Sequence, residues 1–166
     1  MSTMEQAKKC LREVFGFDDF RPMQAEVIGS ILNRNDTLAV MPTGGGKSLC
    51  YQLPALLFEG LSIVVSPLIS LMKDQVDQLT QLGVSASLLN SSLPEDTYRK
   101  NIGRIRNGQA KLLYLAPESL LKPNLVEILQ DVRVDCLAID EAHCISFWGH
   151  DFRPEYRQLM NIRGRF

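Results

Sequence analysis

The stretch whose reading decides the fold is TLAVMPTGGGKS, Thr37–Ser48. Its first half is an apolar run of strand length. Its second half packs three glycines before a lysine and a serine. Gly44, Gly45 and Gly46 free the backbone to adopt angles other residues avoid, so their N–H groups can converge on an anion. Lys47 adds a point charge and Ser48 a hydroxyl suited to Mg²⁺. A helix opening at Lys47 would aim its positive end at the same place. Strand, glycine-rich loop, helix is the context in which such a loop holds phosphate. One departure is Met41, which stands where the general GxxxxGK[ST] pattern has glycine. An ordinary glycine-rich turn followed by Lys-Ser by chance remains the alternative on these residues alone.

Working outward, further short apolar runs recur at Leu61–Ser66, Ser85–Leu89, Lys111–Ala116 and Val134–Ile139. Several are apolar at nearly every position, as in strands buried on both faces of a parallel sheet. Helical spacing lies between them. Met23–Asn33 carries Val27, Ile28, Ile31 and Leu32 on one face. Leu68–Leu82 stops at Gly83, and a third segment runs from Pro94 to Gly108, following the usual Pro-first, Gly-last asymmetry. The alternation predicts an α/β, doubly wound domain, mainly parallel, with helices on both faces.

The last apolar run ends in Asp140-Glu141-Ala142-His143. Carboxylates at the carboxyl end of a buried strand lie where α/β folds bind ligands. Asp140 can hold Mg²⁺, and Glu141 can orient or deprotonate an attacking water. Acids are also favoured at helix starts for electrostatic reasons alone. With the glycine-rich loop in the same chain, the two motifs together predict a P-loop NTPase using Mg²⁺.

Composition is consistent with this and excludes other classes. The 166 residues suffice for one domain, and 45% are hydrophobic. Eighteen Lys and Arg against nineteen Asp and Glu give a net charge of -1, which excludes a polybasic mode of nucleic-acid binding. The five basic residues between Arg99 and Lys111 read as a solvated helix face. No apolar run reaches the roughly 18 residues of a membrane span, and the N-terminus lacks the apolar core of a secretory signal. Cys10, Cys50, Cys136 and Cys144 form no CxxC pair, and without a secretion signal they read as reduced thiols.

MPTGGGKS together with DEAH resembles the superfamily 2 helicases, and finer features resemble the RecQ-type DNA helicases. Phe15–Gln24 (FGFDDFRPMQ) is similar to that family's motif 0, Ser66–Gln75 (SPLISLMKDQ) to motif Ia and Tyr114–Leu120 (YLAPESL) to motif Ib. Asp140–Tyr156 (DEAHCISFWGHDFRPEY) resembles motif II joined to an aromatic-rich loop. The resemblance covers nearly the whole chain. It implies an ATP-binding, RecA-like lobe over residues 1–166, with motif 0 at 15–24.

It also implies site residues. Gln24 would read adenine, Arg21 would assist, and Phe17 would stack on the base. Phe15 and Phe20 are expected in the core. Thr43, Gly44, Gly45, Gly46, Lys47 and Ser48 would hold the phosphates, with Ser48 and Asp140 on Mg²⁺. Lys47, Asp140, Glu141 and His143 form the catalytic set, His143 linking nucleotide to DNA. Ser66, Lys73, Trp148, His150, Phe152 and Arg153 are the expected DNA contacts, with Pro117 and Glu118 near the track. Aromatic and Arg planes suit stacking on unpaired bases, at about 1–3 kcal/mol per base. Phe147 stands where the family usually has glutamine.

The implied activity is ATP-driven 3′–5′ translocation on single-stranded DNA and unwinding at duplex junctions, in recombination and repair. The enzyme would work in the cytoplasm on a bacterial nucleoid, or in a nucleus, with no membrane partner. The resemblance places motif III, a second RecA-like lobe and its arginine finger beyond this chain. An isolated lobe is therefore expected to hydrolyse ATP very slowly. A non-catalytic module binding nucleotide or single-stranded DNA is the rival reading, and a DEAH-type RNA helicase a third.

Overall fold

The computed structural model describes residues 1–145 and 153–165. Two compact units divide the chain, residues 1–59 and 60–166.

The first unit is helical. Helix α1 (Thr3–Glu13) opens with a capping box in which Ser2 and Glu5 satisfy each other's backbone N–H groups. Helices α2 (Gln24–Leu32) and α3 (Lys47–Leu57) pack with it. Their common core holds Ala7, Leu11, Val27, Ile28, Leu49 and Leu53, with Phe15 and Phe20 packed at its edge as expected. The run Thr37–Met41, expected as a strand, forms none: residues 35–42 carry no regular structure, and Leu38 and Val40 are exposed. A strand exists only through lateral hydrogen bonds to another strand. Every regular element of this unit is a helix.

The second unit is the expected parallel α/β sheet. Its strands are β1 (Leu61–Val65), β2 (Ala86–Leu89), β3 (Leu112–Leu115) and β4 (Val134–Ile139), in the order β2-β3-β1-β4. All three pairings are parallel, and Ile63 pairs with Leu113 on one side and Leu137 on the other. Crossovers run through α4 (Ile69–Gln81), α5 (Glu95–Arg106), and the pair α6 (Pro117–Leu120) and α7 (Pro123–Gln130). Alternation along the strands turns Ile63, Val65, Leu113 and Leu115 to one face, where Ile105, Leu125, Leu129 and Tyr156 cover them. Tyr156 belongs to α8 (Pro154–Ile162), which follows the short 3₁₀ turn Ala142–Ile145. Helix α4 runs along β2 and β3 with Met72 and Leu79 buried outside that cluster.

Parallel strands share one carboxyl edge. Ser66, Asn90, Ala116-Pro117 and Asp140 each follow a strand end directly, so topology alone brings them to that edge. The basic segment of α5 is a solvated face, as expected. Arg99 pairs with Glu95 one turn earlier, and Arg104 donates to Ser85 Oγ at 2.7 Å.

Candidate nucleotide and nucleic-acid sites

In the first unit, Gly46 is the N-cap of α3 and adopts φ +79°, with Gly44 at φ +78°. No side chain caps this helix, and its first turn carries no acid. Its positive end is left for an external anion, with Lys47 exposed beside it and Ser48 half-buried. Met41 is 9% exposed, and its Sδ lies 3.8 Å from the Cys50 thiol. The departure from glycine there is thus a core-filling choice. Burial pushes the Cys50 thiol up to about 11.

The loop is held from behind by two side chains, Arg21 just before α2 and Gln24 at its first position. Arg21 Nη1 donates to Gly44 O at 2.7 Å. Gln24 Nε2 donates to Gly46 O at 3.0 Å, while Gln24 Oε1 accepts from Arg21 N at 2.8 Å. A third bond, Gly45 N to Pro42 O at 2.9 Å, closes the turn. Gln24 is only 3% exposed, so its amide is engaged with backbone at both ends. Sequence reasoning gave Gln24 the task of reading adenine. In this structure its amide joins the backbone at Arg21 to the phosphate loop at Gly46. Arg21 lies on the same loop, and Phe17 is exposed. Thr43 is exposed at the tip.

In the second unit the carboxylates sit directly after β4. Asp140 N continues the ladder to Val65 O at 2.9 Å. Asp140 Oδ1 then accepts from Glu141 N at 2.9 Å, and Asp140 O accepts from Tyr156 Oη at 3.1 Å. Glu141 has φ +53°, the left-handed region, which costs a residue with a Cβ about 1–2 kcal/mol. Its Oε2 lies 3.2 Å from His143 Nδ1. The expected catalytic acid and its histidine neighbour are therefore brought into contact. Tyr156 is fully buried, and burial pushes its hydroxyl well above the ordinary range, so it remains a donor.

The expected DNA contacts divide. Lys73 is exposed on α4, and Glu118 is exposed beside buried Pro117. Ser66 is 2% exposed, and its Oγ accepts from Leu68 N at 3.5 Å, which ties it to the turn before α4. Arg153 is half-buried at the start of α8, with its N–H on Cys144 O at 3.0 Å. Phe147, Trp148, His150 and Phe152 lie outside the described residues. Sequence reasoning missed Tyr156: nothing local distinguishes it from any other core tyrosine.

Hard oxygen donors such as the Ser48 hydroxyl and the Asp140 carboxylate suit Mg²⁺. Among the described residues no three His, Cys, Asp or Glu cluster as a self-sufficient metal cage. Each of these donors by itself suits an ion that arrives with its nucleotide and keeps water ligands. No helix among the described residues is long and apolar enough to cross a membrane.

Comparison with known proteins gives a consistent result. The family described as DEAD/DEAH box helicase matches residues 21–163. The chain is 52% identical over 160 residues to a protein of Haemophilus influenzae named ATP-dependent DNA helicase RecQ, covering 96% of this chain and 26% of that protein. It is 48% identical over 157 residues to the RecQ-named protein of Bacillus subtilis, covering 94% and 27%. ATP-dependent DNA helicase Q1 of Rattus norvegicus is 44% identical over 168 residues, covering 97% and 27%. Among solved structures, a hypothetical ATP-dependent RNA helicase from Sulfolobus tokodaii matches with TM-score 0.64 and 25% identity, covering 85% of this chain and 42% of that one. The chain spans about a quarter of the length of the curated relatives it matches.

Proposed function

Since this chain belongs to the DEAD/DEAH box helicase family, we propose that it is the ATP-binding, RecA-like lobe of a RecQ-type DNA helicase, spanning residues 1–166. The whole protein would couple ATP hydrolysis to 3′–5′ movement on single-stranded DNA and to unwinding at duplex junctions. It would do so in the cytoplasm of a bacterium, on its nucleoid, or in a nucleus. The observation that carries this reading is the phosphate loop. Gly44 and Gly46 are bent to positive φ, their carbonyls are held from behind, and an uncapped helix start follows, in a chain 52% identical to a RecQ-named protein.

The roles follow from chemistry. The loop N–H groups and Lys47 bind the phosphates, and Thr43 lies at the loop's tip. Phe17 offers an exposed ring for stacking on the base. Ser48 and Asp140 would hold Mg²⁺, which supplies positive charge against the phosphate oxygens when bound. Glu141 orients the attacking water and accepts its proton, with His143 holding the carboxylate. Lys73, Trp148, His150, Phe152 and Arg153 contact single-stranded DNA, and Ser66 supports the turn that presents its neighbours. A second lobe contributes the arginine finger, a group worth about 10³–10⁵ in rate in phosphoryl transfer. The isolated lobe is then a weak nucleotide binder and a very slow ATPase.

The test uses full-length protein. Single-stranded DNA is expected to raise ATP turnover at least tenfold, and RNA of the same sequence to raise it far less. Lys47→Ala is expected to lower kcat by about 10²–10³. Equal stimulation by RNA would favour the RNA-helicase reading. Binding of DNA without turnover would favour a non-catalytic module.

A further inference from the structure

We infer that Tyr156 is a positioning residue for the carboxylate pair: its hydroxyl holds the peptide between Asp140 and Glu141 in the orientation that aims Glu141. This rests on the catalytic reading of Glu141 given above.

The peptide 140–141 is held at both polar ends. Its N–H is taken by Asp140 Oδ1 at 2.9 Å and its C=O by Tyr156 Oη at 3.1 Å. Rotation of that peptide is rotation about Glu141 φ and Asp140 ψ. Glu141 sits at φ +53°, a conformation a glutamate does not adopt without outside constraint. Asp140 N is fixed to Val65 O, and Glu141 O accepts from Cys144 N at 3.0 Å. The chain is therefore anchored on both sides of the strained residue, and on the 140–141 peptide itself Tyr156 supplies the anchor that comes from outside the segment.

The tyrosine is well placed for this. Its ring is 0% exposed in the core on one face of the sheet, among Leu159, Cys144 and the strand residues. A buried ring leaves its hydroxyl little freedom, and a buried hydroxyl must find a partner. The partner here is the carbonyl of the residue expected to hold Mg²⁺. The start of α8 is tied down in the same way, by Arg153 N to Cys144 O at 3.0 Å and Tyr156 N to Arg153 O at 3.1 Å. Removing only the oxygen should leave packing intact and free the peptide to turn, taking the Glu141 carboxylate out of line.

Tyr156→Phe in the full-length protein separates this from a packing role, with Tyr156→Leu as the packing control. For Tyr156→Phe, kcat for ATP is expected to fall five- to twentyfold, with KM for ATP within twofold of wild type. Amide exchange at Glu141 is expected to speed at least fivefold, while β4 residues Cys136–Ala138 exchange as before. Tyr156→Leu is expected to lower Tm and to speed exchange across β4 as well. Unchanged kcat and unchanged Glu141 exchange in Tyr156→Phe would overturn the inference. So would a fall in Tm with general loss of protection in that variant. If the wild type hydrolyses no ATP, the proposed function falls; the exchange at Glu141 still decides whether the hydroxyl holds the peptide.

Discussion

The phosphate loop and the carboxylate turn solve the same backbone problem in opposite ways. Both need positive φ: Gly44 at +78° and Gly46 at +79° in one, Glu141 at +53° in the other. In the loop the residues are glycines, for which this conformation carries no Cβ penalty. Side chains from elsewhere, Arg21 and Gln24, merely steady the carbonyls. In the turn the residue is a glutamate, the proposed base, and in that role glycine could not replace it. There the conformation is imposed by contacts, with Asp140 Oδ1 and Tyr156 Oη on the two ends of one peptide. A loop whose shape is intrinsic tolerates loss of a steadying contact. A turn whose shape is imposed does not, but it alone can carry a reacting side chain at the bend.

The sharpest way to break the comparison is to exchange the chemistry at each bend. Glu141→Gly removes the acid and the strain together. ATP turnover of the full-length protein is expected to fall by about 10²-fold or more. Stability is expected to hold or rise by up to about 1 kcal/mol, because relief of the left-handed cost outweighs glycine's backbone entropy. A large loss of stability on urea melting would show that the turn is not strained.

Gly46→Ala makes the opposite exchange. A Cβ there would lie 2.3 Å from Gln24 Nε2 at a φ of +79°. Gln24 is buried and its amide is committed, so it cannot simply swing aside. About 2–3 kcal/mol of stability should go, with nucleotide affinity reduced at least tenfold in a fluorescent-nucleotide titration.

Arg21→Ala probes the steadying contacts. Its guanidinium reaches Gly44 O from an exposed position, and exposed contacts contribute little to stability. KM for ATP is expected to rise about three- to tenfold at nearly constant Tm, a cost of about 1 kcal/mol. If Arg21→Ala abolished nucleotide binding outright, the loop would depend on imposed contacts as much as the turn does.

The smallest effect expected is a pH dependence behind the loop. The Cys50 thiol, raised to about 11 by burial, stays protonated where an exposed thiol would ionise. Because the folded value lies above the unfolded one near 9, its contribution is fully present below about pH 9. It is lost as pH climbs toward 11. Alkylation of Cys50 at pH 8 should be much slower in the folded protein than in urea. Equal rates would mean the thiol is not buried.

Much of this was legible in the sequence. Four of the five apolar runs are strands, with ends within a residue or two: full burial leaves β1, β2 and β3 apolar at nearly every position, while β4 is half-buried and carries Asp135. The helices after Met23, Leu68 and Pro94 start and stop where apolar spacing and Pro or Gly punctuation put them. The run Thr37–Met41 looks the same in composition and is no strand, since composition does not say whether another strand lies alongside. Motif spacing singles out Lys47, Ser48, Asp140 and Glu141 as candidates and the family resemblance adds a role for His143, while the contact between Glu141 and His143 is visible only in the structure.

What the sequence determined by itself is what one residue or its near neighbours can dictate. Glycines at 44 and 46 permit the loop, apolar runs mark the strands, and a carboxylate pair after a strand marks the proposed chemistry. Tertiary structure decided how those pieces are held. It engages the Gln24 amide with Gly46 O, 22 residues away, seats Met41 in the core, and brings Tyr156 Oη across 16 residues to Asp140 O. Hydrogen bonds of this kind depend on where the chain returns after folding, and no local preference of glutamine, methionine or tyrosine encodes that return.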